Sequence, residues 1–337
     1  MNVEELRRNF PDEASCRAFF ESVIWPDGPV CPHCHGRKVW AFRSPKVRAG
    51  LYECADCAKQ FTVTTKTAFH GTKLSLWIWL QAMYSLIFSS KGASSVFMAQ
   101  WLGISQKSAW KMLHALRTIM AIHQSALPKL QGIVELDEKY LGGKPRYQPG
   151  VKHKRGRGTQ KSCIAVAVQR QGPVRATLVT GDSVSVLRPL IQKTVSLEAH
   201  LMSDELRAYG VIGQDFAAHE TVQHGRKEFA RGVVHNNTAE SYNALLERAK
   251  QGVYHWMSKL HLPLYISEAA FRWNQRVPDT RTIQRGKNRG KVRITMKPLP
   301  LLDQFKNLLR FAPACQVRRS KNSGIRHLPG AIPLFGL

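Results

Sequence analysis

Between Leu74 and Met120 the apolar residues recur at helical rather than strand spacing. In "LSLWIWLQAMYSLIF", Leu74 to Phe88, they fall at positions 74, 77, 78, 80, 84, 87 and 88, close to one face of a 3.6-residue period. The following stretch, "SSVFMAQWLGISQKSAWKMLHALRTIM", predicts two more helices. Gly103 breaks the pattern after Leu102, and Ser105 is placed to cap a helix that carries Ala109, Met112, Leu113, Leu116 and Ile119. Helix, short glycine-containing turn, helix is the order of a helix-turn-helix. In that reading Gln106, Lys107, Ser108 and Lys111, at the start of the second helix, face a DNA major groove. In the other reading the pair is an ordinary helical hairpin with a solvated polar face.

After Gly132 the pattern changes. "GIVELDEKYL", "SCIAVAVQR", "VRATLVT" and "AHLMSD" read as strands, with turn signals at "RQGP" and "TGDS". "SVLRPLIQKTV" reads as a helix before the fourth strand and "TAESYNALLERAK" as a later helix. Three strands, a helix and another strand make an α/β order. The aromatic residues in "YHWMSKL" and "FRWNQR" are read as core in preference to base-stacking groups.

The first strand contains a contradiction. Glu135, Asp137 and Glu138 lie inside an apolar run. Asp204 ends the apolar run of the fourth strand, and Glu240 falls in the first turn of the later helix. A buried carboxylate costs several kcal/mol unless something positive compensates it. Where three converge, a divalent cation is the usual compensator, and Mg²⁺ prefers oxygen ligands. By strand alternation Glu135 shares the face of Asp137 while Glu138 points the other way.

Composition narrows the partner. The chain of 337 residues has 43% hydrophobic residues, enough for two or three domains with real cores. Its formal charge of +27 and pI near 10.2 call for a polyanion, either nucleic acid or an anionic membrane. The longest apolar run has 15 residues, too few to span a bilayer, and the first residues do not form a secretory signal. A soluble, cytoplasmic protein that binds nucleic acid is the expectation. The stretch from Lys144 to Lys161 carries seven Lys or Arg and no acid. Lys152, Lys154, Arg155 and Arg157 in it suit a phosphate backbone, unless the stretch is merely a solvated loop.

Seven cysteines are present, and four form two pairs, "CPHC" and "CADC". Nineteen residues separate Cys31 and Cys34 from Cys54 and Cys57. That is zinc-ribbon spacing, and four thiolates close a tetrahedral site, so the zinc is expected to be structural. The odd count and the three isolated cysteines fit a reducing compartment.

"LDEKYLGGK" around Asp137, "SDELRAY" around Asp204, "HNNTAES" around Glu240 and "HLPLYISEAAFRWNQR" from His261 to Arg276, in that order behind a zinc ribbon, resemble a DDE transposase. More narrowly they resemble the insertion-sequence family numbered fifteen ninety-five, over roughly residues 10 to 276. The resemblance implies a zinc ribbon over residues 1–70 and an RNase H-like α/β catalytic domain over 129–276, with the helical helix-turn-helix segment read from the pattern lying between them over 71–128. The remaining residues, 277–337, with 13 Lys or Arg, read as a basic, partly disordered tail.

It also implies that Asp137, Asp204 and Glu240 hold two Mg²⁺ ions, replaceable by Mn²⁺, for cleavage and strand transfer at the element's ends. Double-stranded DNA is then the partner, both the terminal inverted repeats and the target. A homodimer or larger assembly is expected by analogy. Glu135 is expected to support the site. The chain departs from the family at Glu247, where a Lys or Arg is usual seven residues after the glutamate. Arg248 follows, rotated by about 80° from the direction of Glu240. Asn237 is a further possible ligand. Two rival readings stay open: a DNA-binding regulator with an inert third domain, and a nuclease of the same fold.

Overall fold

The computed structural model of the chain describes residues 2–143, 149–150, 161–319 and 325–329. The chain divides into two compact units, Met1–Ala126 together with Pro300–Leu337, and Leu127–Leu299.

The first unit opens with two capped helices, α1 (Val3–Asn9) and α2 (Glu13–Ile24). Asn2 and Asp12 each accept from the amide three residues on, satisfying donors that a helix leaves open. A three-stranded antiparallel ribbon follows, β1 (Val39–Ala41), β2 (Tyr52–Cys54) and β3 (Gln60–Phe61). The predicted helices then appear as α3 (Leu76–Phe88), α4 (Ser95–Leu102) and α5 (Gln106–Ala126). Glu13 of α2 accepts from the Leu76 and Trp77 amides, tying α2 to the start of α3. Gly103 ends α4 at φ +64°, a conformation costly for residues with a Cβ, and the Ser105 hydroxyl accepts from the Ser108 amide to start α5.

A helix at Leu301–Leu309 also belongs to this unit. Phe305, Leu308 and Leu309 are fully buried there, against α2, α3 and α5. This differs from the expectation of a partly disordered tail. Leu301, Leu302, Phe305, Leu308 and Leu309 form a continuous apolar stripe, which outweighs the basic composition around it.

The second unit is a five-stranded mixed sheet. Its strands are β4 (Ile133–Leu141), β5 (Ser162–Gln169), β6 (Val174–Val179), β7 (His200–Ser203) and β8 (Ala218–Thr221), in the order β6-β5-β4-β7-β8. The β4–β5 and β5–β6 pairs are antiparallel, and β4–β7 and β7–β8 are parallel. Helices α6 (Val184–Thr194) and α7 (Arg207–Ile212) cover one face over Val134, Leu136, Ala165 and Ala167. Helices α8 (Asn237–Ala249) and α9 (Leu262–Asn274) cover the other over Leu141, Ile164, Val166 and Val168. Being covered on both faces explains why β5 is apolar throughout instead of alternating.

This unit runs past the expected boundary at 276. Arg276–Thr282 and Val292–Pro298 form an antiparallel hairpin. Its strands are mostly exposed, and although Val292, Ile294 and Met296 alternate with Arg293, Thr295 and Lys297, the basic composition of the segment masked that short strand pattern. Among the described residues no helix is long and apolar enough to cross a membrane.

Candidate active site

β4 is the central strand, and its parallel pairing with β7 aligns Leu136 with Ser203. Asp137 and Asp204 each follow one residue later, so the register brings them side by side. Asp137 Oδ1 accepts from the Glu138 amide at 2.8 Å, and its Oδ2 accepts from Asn243 Nδ2 of α8 at 2.7 Å. Asp204 Oδ1 accepts from the Leu206 amide at 3.0 Å. Carboxylate oxygens of Asp137, Glu138 and Asp204 all lie within 4.8 Å of one another. Burial raises Asp137 to a pKa of about 6, and the charges of Asp204 and Glu240 add to the rise against the opposing hydrogen bonds from Glu138 and Asn243. An all-oxygen donor set with this mutual repulsion fits a hard divalent cation.

Glu138 lies on the α7 side as alternation requires, accepting from Tyr209 Oη at 3.3 Å. β7 ends at Ser203, so the sheet stops covering this point and a carboxylate from either face can turn toward Asp204. Glu240 sits in the first turn of α8 with its side chain 51% exposed, and its Oε1 is 3.8 Å from His224 Nε2. It contributes to the field at Asp137 but does not complete the tight carboxylate group.

Glu135 is fully buried, and its partners lie elsewhere than at this group. It accepts from the Thr238 amide at 2.6 Å, the Ala239 amide at 3.0 Å and Thr238 Oγ1 at 2.9 Å. Arg170 Nε donates to it at 2.6 Å, and the same guanidinium reaches the carbonyls of Val233 and His235. Asn236, the residue before α8, makes no capping bond of its own; its side chain donates to the Leu136 carbonyl at 3.0 Å. Glu135 therefore supplies from β4 the cap that α8 lacks locally.

Asn237 and Arg248 are exposed. Glu247 pairs with Lys139 at 3.5 Å and Lys250 at 3.1 Å. Lys139 stands two residues beyond Asp137 on the same face of β4, so the acid at the usual basic position has a lysine opposite it. Asn243, Arg170 and Thr238 were missed from the sequence. Asn243 alone had a local signal, one helical turn after Glu240 on a shared face.

On α5, Gln106 and Lys107 are exposed while Ser108 and Lys111 are half-buried. Gln106 donates to Ser95 of α4, and Ser108 bonds to Ser105. Lys152, Lys154, Arg155 and Arg157 lie outside the described residues.

The four ribbon cysteines converge. The Sγ atoms of Cys31, Cys34, Cys54 and Cys57 lie within 4.8 Å of one another, with Cys31–Cys57 at 3.6 Å and Cys34–Cys54 at 3.4 Å. These separations are far beyond a disulfide and near the ~3.8 Å edge of a tetrahedron with ~2.3 Å Zn–S bonds. The residue after each second cysteine, His35 and Ala58, has a positive φ, so the two knuckles share one backbone turn. Four cysteines in this arrangement fit zinc with no position left open.

Residues 129–274 match the ISXO2-like transposase domain, and residues 11–60 match the transposase zinc-ribbon domain. A Halobacterium salinarum protein described as an uncharacterized protein in transposable element ISH50 is 28% identical over 253 residues, covering 72% of this chain and 84% of that protein. Two solved structures show distant likeness. One is a simian T-cell lymphotropic virus intasome in complex with PP2A regulatory subunit B56 gamma, at 13% identity and TM-score 0.27, covering 73% of this chain and 94% of that one. The other is the mariner Mos1 paired end complex with Mg, at 12% identity and TM-score 0.23, covering 57% and 76%. Likeness at these scores supports no functional conclusion.

Both matched domains are transposase domains, and together they take in more than half of the chain. The chain carries the zinc ribbon and the transposase domain of IS1595-type insertion-sequence transposases.

Proposed function

We propose that this chain cuts DNA at the ends of its element and transfers the strands to a target, using an RNase H-like catalytic domain with Asp137, Asp204 and Glu240 as its metal ligands. The observation that carries this reading is the side-by-side placement of Asp137 and Asp204 on adjacent parallel strands. Two Mg²⁺ or Mn²⁺ ions bound there would activate the attacking hydroxyl and stabilise the departing oxygen during in-line displacement at phosphorus.

The protein's own groups prepare that site. Asn243 and the Glu138 amide fix both oxygens of Asp137, and the Leu206 amide fixes one oxygen of Asp204. Glu240 rides on α8, whose first turn is held by Glu135, and its half-exposed carboxylate adds to the field at Asp137. Zinc in the ribbon is structural. The ribbon, the α4–α5 pair as a helix-turn-helix and the basic stretch at 144–161 bind double-stranded DNA, and the active form is a homodimer or larger because two ends must be joined.

The test is incubation of purified protein with Mg²⁺ and DNA carrying the flanking inverted repeats. Strand-transfer products support the reading. Nicking alone would indicate a nuclease, and binding without any cleavage would indicate a regulator.

A further inference from the structure

The segment after α8 is built unusually. A π-helical turn covers Lys250–Tyr254, and His255 follows at φ +51°, a left-handed conformation that costs a non-glycine residue free energy. Two anchors hold the segment. On one side of Trp256, Tyr254 Oη donates to the fully buried Glu268 at 2.7 Å, and its ring packs on Tyr265 at 4.7 Å. On the other side, Met257 packs against the sheet core. Between them the indole of Trp256 turns outward and is 75% exposed. The core reading of this aromatic is therefore corrected. Trp273, from the other aromatic motif, is buried, with the Arg276 guanidinium 3.8 Å above its ring.

The sequence around Trp256 is basic, although Lys250 is paired with Glu247. From Arg248 to His261 the chain contains Arg248, Lys250, His255, Lys259 and His261 and no acid. Trp256 also lies beside Gly143, where a Cβ would sit 3.7 Å from the ring. The stretch of seven bases begins one residue after Gly143 in sequence. α8 runs along β4 toward this point, with Asn243 at Asp137 and Glu247 at Lys139. Gly143 is six residues beyond Asp137, no more than about 20 Å at ~3.3 Å per residue.

We infer that Trp256 is a stacking platform for an unpaired nucleobase of the DNA strand that passes the carboxylates. An exposed aromatic ring in a stretch of cations that contains no acid of its own matches a strand with a phosphate backbone and flat bases. Inside a duplex both faces of a base are already stacked, so the ligand is a base exposed at a nick, a frayed end or a single-stranded extension. Backbone anchoring on both sides lowers the ordering cost of binding. This inference rests on the reading of the chain as a DNA transposase.

The experiment compares full-length wild type, Trp256→Ala and Trp256→Phe without divalent metal, so that binding is read apart from cleavage. The probes are a labelled duplex and the same duplex with a short single-stranded extension. Trp256→Ala should lose roughly five- to hundredfold affinity for the extended probe and keep its affinity for the blunt duplex, and Trp256→Phe should recover much of the loss. Equal losses on both probes, or none on either, overturn the inference. So does a change in self-association measured by size-exclusion chromatography, which would make the indole a protein contact. If wild type binds both probes and only the variant comparison fails, the stacking role alone is lost. If wild type binds neither, the transposase reading falls with it.

Discussion

Glu135 accepts from the Thr238 amide at 2.6 Å, so the strand that carries Asp137 also caps the helix that carries Glu240. One buried carboxylate fixes the two elements relative to each other, and Arg170 neutralises it at 2.6 Å. Replacing Glu135 with Gln neutralises the fully buried member of the pair and leaves the guanidinium, whose side chain is 17% exposed, short of its counter-charge. The expected loss is about 3 kcal/mol of stability, at the lower end for breaking such a pair. Urea unfolding followed through the second unit measures it. A variant as stable as wild type would remove Glu135 from this role.

Asp137 should behave in the opposite way when metal is absent. Its folded pKa of about 6 lies above the ordinary ~3.9, so the folded state disfavours its charged form. The resulting penalty is fully present above pH 6 and vanishes below about pH 4. Asp137→Asn should therefore stabilise the metal-free protein at pH 8, by up to about 3 kcal/mol, and give little at pH 4. Asn243 Oδ1 is buried without a partner and can accept from the new amide after a flip. Thermal melts in chelator at both pH values check the sign.

The ribbon should hold one zinc per chain. Cys31→Ser or Cys54→Ser should lose that zinc and unfold the ribbon, because a closed structural site contributes directly to folding. Elemental analysis of the native protein and both variants decides this, and a zinc-free native protein contradicts it.

DNA affinity should fall steeply as salt rises. Deleting 152–157, which removes Lys152, Lys154, Arg155 and Arg157, should flatten the slope of log affinity against log salt, since fewer counterions are released. An unchanged slope would make this stretch a solvated surface.

The parts legible in the sequence were those with a local signature. The cysteine knuckles, the helix start at Ser105 and the apolar strands each announce themselves within a few residues. The Asp137–Asp204 pair was legible because both end or interrupt apolar runs. What the sequence hid depends on distant contacts. The Glu135 cap joins residues 103 positions apart, and the Asn243 bond to Asp137 spans 106. Alternation on an ideal strand predicted the side of Glu138 but not that the neighbouring strand stops at Ser203. Trp256 shares its composition with core segments, and only the turn at His255 directs it outward.

The most direct measurement is strand transfer by Asp137→Asn, with DNA binding measured in the same preparation and Mg²⁺ or Mn²⁺ supplied. Binding should survive, because the phosphate contacts lie on the basic surfaces, while cleavage and joining should fall by orders of magnitude, because the charge that holds metal is gone. Asp204→Asn should match it. Full strand-transfer activity in Asp137→Asn would contradict the assignment of the active site.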